Sequence, residues 1–186
     1  MNVDNKYRAV LDHLLEPRVH DHAGDKTICY LTFPIDQILE VKRKLNTTWI
    51  SLAKNRGLEV ELLSLHTVLQ AFFAKDEYRI EAGEDAAEDL YEMKEVFASL
   101  GSNLDNQEII DQAILAAQNK VGDNGILFIT DLEALHPYTR FGPIEARIYN
   151  EIKVPIVVFY PGERSGSALK FLGFYPEDGN YRSDHY

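Results

Sequence analysis

Asp131 and Glu133 are the residues whose types and spacing first suggest chemistry. They follow the run Gly125 to Thr130 in the stretch GILFITDLEALHP. Many nucleotide hydrolases end a central strand this way, with one acid holding Mg²⁺ and a second polarising water. The alternative is structural: Asp131 caps the segment after it by accepting backbone N–H groups. A hydrolase of this kind also needs a glycine-rich turn after its first strand. Backbone N–H groups there cradle phosphates, a Lys neutralises charge and a Ser or Thr holds the metal. At that place the chain reads LTFPIDQILE, without Gly, Lys or Ser, and Pro34 removes one N–H. The tetrapeptide GDKT, Gly24 to Thr27, is a partial match, but it precedes the strand. Lys26 would then lie at the edge of a parallel sheet where ligands rarely bind. The hydrolase apparatus is missing although its scaffold is suggested, and no cofactor is expected.

The remaining candidates are less specific. YPGERSGS, Tyr160 to Ser167, carries two glycines, two serines and Arg164, which suit either an anion-binding nest or a turn between strands. HDH, His20 to His22, offers neighbouring side chains that point apart on an extended loop, with no third metal ligand at a telling distance. No G-x-S-x-G elbow announces a Ser-His-Asp set. His66 and His136 are isolated among apolar neighbours. The single Cys29 lies in an apolar run and reads as a core residue of a reducing compartment. Late aromatics, among them Tyr181 and Tyr186, continue into a polar tail over residues 176–186. Tyr and Arg are enriched at protein interfaces, so Tyr160, Arg164, Tyr181 and Arg182 are the candidate partner contacts.

These residues need elements to position them. Apolar spacing predicts helices over Tyr7 to Leu15, Ile35 to Asn55, Thr67 to Ala74, Glu84 to Leu100 and Asn106 to Lys120, with a short one at Pro143 to Asn150. In the helix Ile35 to Asn55, residues Ile35, Ile38, Leu39, Lys42 and Leu45 are expected to share a face. Strands are predicted at Thr27 to Phe33, Glu59 to Leu65, Gly125 to Thr130 and Val154 to Pro161, with a last short one in LKFLGF. Strands separated by helices imply a three-layer open, mostly parallel sheet of about five strands, P-loop-NTPase-like but without its phosphate loop. The 186 residues suit one α/β domain, with 76–120 as a helical insertion whose start, Asp76 to Glu95, is acidic.

A net charge of −11 disfavours direct nucleic-acid binding. The densest basic patch is Lys42, Arg43, Lys44, Lys54 and Arg56. No apolar run is long enough to cross a membrane, and the N-terminus lacks a signal-peptide pattern. A cytoplasmic protein is expected.

The segment VPIVVFYPGERSGSALKFLGFYPEDGNYRSDHY resembles the C-terminal signature of the BrxB family of BREX bacteriophage-defence systems. The matching parts are Phe159-Tyr160-Pro161-Gly162, Leu169 to Gly173 and Asn180-Tyr181-Arg182. LTFPIDQILEVKRKL and ILFITDLEALHPYTR are similar to the family as well, so the likeness runs from about Thr27 onward. Arg164 and Ser165 depart from the family pattern, and no role is carried to them. The resemblance implies a small cytoplasmic component that works beside a PglZ-type protein of alkaline-phosphatase fold, a large ATPase and a DNA methyltransferase. It implies an accessory protein that binds the PglZ-type protein, and it brings no catalytic residues.

Overall fold

A computed structural model describes residues 2–16, 28–75, 90–122, 125–165, 168–174 and 184–186. The predicted HDH loop, the GDKT stretch, Tyr181 and Arg182 lie outside the described residues, as does most of the acidic segment after Asp76.

Strands β1 (Ile28–Phe33), β2 (Glu59–Ser64), β3 (Gly125–Thr130), β4 (Ile156–Ser165) and β6 (Asp184–His185) form a parallel sheet in the order β2-β3-β4-β1-β6. β5 (Ala168–Phe171) pairs antiparallel with the far end of β4. The central strands β1 and β3 are buried at every position, because helices cover both faces of the sheet.

Alternation along each strand sorts side chains between two cores. Tyr30, Ile129 and Val158 point to one face, where α4 (Leu65–Phe73), α5 (Leu90–Asn106), α6 (Ile109–Gln118) and α7 (Phe141–Ile148) pack. Leu31, Phe128 and Val157 point to the other, against α1 (Val3–Leu14), α2 (Ile38–Lys44) and α3 (Ile50–Asn55). Three layers result, as the sequence predicts. The chain travels from β1 to β2 along the second face and returns through β3 to β4 along the first. The connection leaving β1 and those leaving β2 and β3 therefore cross opposite faces, and ligands of such sheets gather at the carboxyl ends of the strands near such a reversal.

The helical stretch after β1 differs from expectation. It is divided into a 3-10 turn (Ile35–Gln37), α2, a wide π turn (Leu45–Trp49) and α3. The buried residues are Val41, Leu45, Trp49 and Ala53, each four positions from the last. In an α-helix four residues overshoot a full turn by about 40°, so this spacing drifts off the sheet. The π turn takes up the excess and keeps all four facing β1, β3 and β4. Ile35 and Leu39 consequently point outward, at 44% and 79% exposure.

β4 also runs further than predicted. Pro161 is the last residue in register with β1, opposite Phe33, and Gly162 opens the hairpin with β5 opposite Phe171. A proline is tolerated at such a junction between ladders. Gly162 is required by space: a Cβ there would stand 2.3 Å from the Lys170 carbonyl oxygen and 2.8 Å from the Tyr160 ring. The segment Gly162 to Ser165 is therefore strand, and its backbone is engaged in a ladder rather than shaped as an anion nest.

Candidate carboxyl-edge site

Ser64 closes β2, Thr130 closes β3, and the two are cross-strand partners. Asp131 comes next, with φ 61° and ψ 37°, a left-handed conformation that Asp tolerates better than most residues. It precedes the 3-10 turn Leu132–Leu135, but its side chain makes no capping bond to it. The predicted capping role is thus corrected, since the carboxylate is engaged elsewhere. It accepts hydrogen bonds from the Ser64 hydroxyl at 2.5 Å and the Thr130 hydroxyl at 3.1 Å. Ser64 acts twice, because its oxygen also accepts from the Thr67 N–H at the start of α4.

The main partner comes from the other layer. Lys42 on α2 places its ammonium 2.6 Å from Asp131 Oδ1 and 2.5 Å from Glu133 Oε1. Lys42 therefore stands between the two acids, where the hydrolase reading would need a metal. Burial alone would raise the Asp131 pKa, but hydrogen bonds from Lys42 and Ser64 outweigh it and hold the carboxyl below its ordinary value. Burial likewise opposes the charge on Lys42, and its bonds to the two carboxylates hold its pKa above the usual lysine value. Among the described residues, no group of three or more His, Cys, Asp or Glu side chains could hold a metal.

Beside this cluster lies a groove of about 570 Å³. Leu69 and Phe73 of α4 form one wall, Ala134, His136 and Tyr138 the other, and His66 stands at its margin. The two histidines, isolated in sequence, are thus brought to one groove. Tyr138 is seated there by Phe73, with ring centroids 4.8 Å apart, and by Phe97 at 5.7 Å.

The other candidates disperse. Tyr160 is a core residue rather than a partner contact: it is 1% exposed, between Tyr30 and Phe171. Arg164 is exposed on the β4 hairpin. The basic patch is largely engaged within the chain. Besides Lys42, Lys44 pairs with Asp4 and Glu40, and Arg56 pairs with Asp12. Cys29 is buried, as predicted. Sequence reasoning missed the link from Lys42 to the acids. The available signal was a lysine placed on a helix face otherwise read as apolar.

Removing Lys42 tests the cluster. Lys42→Met leaves a half-buried carboxylate without its cation, and the expected loss is about 1–2 kcal/mol at pH 7. Hydrogen bonds to charged groups contribute about 1.5–3 kcal/mol, and solvent screens this pair because Lys42 is 41% exposed. The Asp131 pKa is depressed in the fold. Its contribution is therefore present above the ordinary value of 3.8 and fades as pH falls through the lower folded value. Urea melts should show the parent and Lys42→Met differing at pH 7 and converging below about pH 4. A gap independent of pH would mean that the loss is one of packing.

The fold and this cluster define an open three-layer α/β domain that has no phosphate loop after β1 and that neutralises its carboxyl-edge acids from within. A family model described as BREX protein BrxB matches residues 61–185, and the chain belongs to the BrxB family. It is accordingly a component of BREX bacteriophage-defence systems. The match begins within β2, so the Phe33-Pro34 junction that resembled the family lies outside it. Neither curated proteins nor solved structures gave a match. Among the described residues, no helix is long and apolar enough to cross a membrane.

Proposed function

We propose that this chain is a non-enzymatic accessory component of its defence system, acting in the cytoplasm by protein–protein contact. Its partner is a PglZ-type protein of alkaline-phosphatase fold, working with the other BREX components. The observation that carries this reading is the position of Lys42. An ammonium bonded to both Asp131 and Glu133 occupies the place where metal-assisted hydrolysis would begin. The absence of a phosphate loop after β1 agrees, as does the engagement of the basic patch within the chain.

The experiment is co-elution. The purified chain, mixed with the PglZ-type protein at micromolar concentration, is expected to emerge with it on size exclusion. Two separate peaks would count against the partnership. The second reading, a nucleotide-binding protein using Asp131 and Glu133, is favoured only by their place at the carboxyl end of a central strand near the reversal. ATP or GTP with Mg²⁺ would then raise the melting temperature, and Asp131→Ala would abolish the effect.

A further inference from the structure

Lys6 differs from the cations around it. Lys42 and Lys44 are each bonded to two carboxylates, and Arg56 to one. Lys6, half-buried on α1, has no carboxylate partner among the described residues. Its ammonium donates instead to the Thr32 carbonyl at 2.9 Å and to the Thr32 hydroxyl oxygen at 2.8 Å. The Thr32 hydroxyl in turn donates to the Tyr186 carbonyl oxygen at 2.7 Å. This chain of bonds fixes the ammonium at the carboxyl end of β1 and engages two of its three donors. Burial holds the Lys6 pKa below the ordinary lysine value, and the nearby charge of Arg164 adds to the effect. Arg164 lies where β4 runs on past β1, beyond the pair Phe33 and Pro161. Two cations thus bear on one place in a chain that carries −11.

That place is a pocket of about 270 Å³. It is lined by Asn2 and Lys6 at the start of α1, by Thr32 and Phe33 at the end of β1, and by Gln37 and Glu40 on the helical stretch after it. The lining offers hydrogen-bond donors from two sides. The Asn2 side-chain oxygen accepts from the Asp4 N–H, which leaves its amide donors unused among the described residues. The Gln37 side chain and the third Lys6 N–H are likewise unused among them. Glu40 is the acid of the lining, and its carboxylate is held 2.8 Å from Lys44, whose ammonium also holds Asp4. Lys6 is the charge of this lining that no opposite charge answers.

We infer that the pocket binds the phosphate group of a compact phosphate monoester, with the Lys6 ammonium as counter-charge and the Asn2 and Gln37 amides as further donors. Lysine serves a phosphate as a point charge, whereas a planar carboxylate is met best by the paired N–H groups of an arginine. The place in the fold suits a ligand, since open α/β sheets bind theirs at the carboxyl ends of strands. No glycine-rich turn follows β1, so a triphosphate finds no cradle of backbone N–H groups, and one ammonium with two amides matches a single phosphate. The pocket shares no residue with the Asp131–Glu133 cluster and does not depend on the protein–protein reading.

Inorganic phosphate and glycerol phosphate, each titrated into the nitrogen-15-labelled chain at constant ionic strength with chloride as the balancing salt, test this by NMR. The amide resonances of Lys6, Thr32 and Gln37 should shift and saturate at millimolar concentration. Acetate should not saturate them, and ATP should bind no more tightly than inorganic phosphate. Lys6→Met and Gln37→Glu should each weaken phosphate binding by about tenfold or more, the effect of one charge-assisted hydrogen bond. Gln37→Glu keeps Lys6 and its bonds to Thr32, so it decides the matter if Lys6→Met fails to fold. Shifts that stay linear in phosphate, or that saturate equally in the parent and the variants, would overturn the site. Acetate binding as tightly as phosphate would overturn the phosphate assignment, and ATP binding far more tightly would overturn the single-phosphate ligand. None of these outcomes bears on co-elution with a PglZ-type protein, so either proposal can fail alone.

Discussion

Trp49→Ala is expected to unfold with about 3–5 kcal/mol less free energy than the parent, a drop of roughly 10 °C in melting temperature for a domain of this size. Trp49 is 2% exposed and fills the space between α1 and β4. Its ring stacks on Tyr7, with centroids 4.5 Å apart, and lies 6.0 Å from Phe159. It is also bonded at both ends: the indole N–H donates to Asp4, and the backbone carbonyl accepts from the Tyr7 hydroxyl at 2.6 Å. Alanine leaves a cavity that two aromatic rings cannot close without losing their own contacts. Trp49→Phe keeps a ring in the stack and gives up the Asp4 bond and part of the filled volume, so about 1–2 kcal/mol should be lost. Calorimetry on the three proteins decides. Equal losses for Ala and Phe would mean that the polar bond, not the filled volume, holds this face.

The second large effect lies on the opposite face of the sheet. Arg147 on α7 donates to both oxygens of Asp111 on α6, at 2.8 and 2.9 Å, with Asp111 buried. This two-pronged geometry is one that Lys cannot reproduce. Arg147→Met strands a buried carboxylate, and the expected cost is about 3 kcal/mol, the lower end for breaking a buried pair because Arg147 itself is partly exposed. Arg147→Lys should recover little. The double variant Arg147→Met, Asp111→Leu should recover most, since two apolar residues in place of a buried ion pair are often neutral. Denaturant midpoints at constant slope measure this. A double variant as unstable as the single one would show that packing at α6 and α7, not the orphaned charge, dominates.

These residues also show what the sequence discloses and what it hides. Strand β3 is found where its apolar run predicted, Gly125 to Thr130, because a strand buried on both faces leaves an unbroken apolar signal. β4 was expected to stop at Pro161. Proline and glycine usually end strands, so Gly162 to Ser165 read as part of the turn before LKFLGF, and only the pairing with β5 shows that the ladder runs on to Ser165. The helix after β1 was legible as a helix, but its face was assigned on a 3.6-residue period. Its buried positions follow a period of four, which only the π turn makes coherent. That misassignment hid Ile35 and Leu39 as surface residues. At the site, Asp131 and Glu133 were visible because chemistry at a strand end is a local pattern. Lys42 was not, because a bond across roughly ninety residues depends on how two layers dock. Tyr160 looked like an interface residue by type, yet β4 is covered on both faces, and alternation delivers Tyr160 to the core shared with Tyr30.

The widened turn at Leu45–Trp49 has a consequence for how this chain can change its length. It acts as a phase corrector, so the stretch from Ile38 to Asn55 is sensitive to insertion or deletion in a way that an ordinary helix end is not. A residue inserted or deleted with the turn kept would deliver Ala53, Leu58 and the start of β2 about 100° out of phase with the sheet, whereas removing the turn's own surplus residue would restore regular pitch and leave them close to phase. Substitutions at the outward positions Asn46, Thr47 and Thr48 would leave that timing untouched.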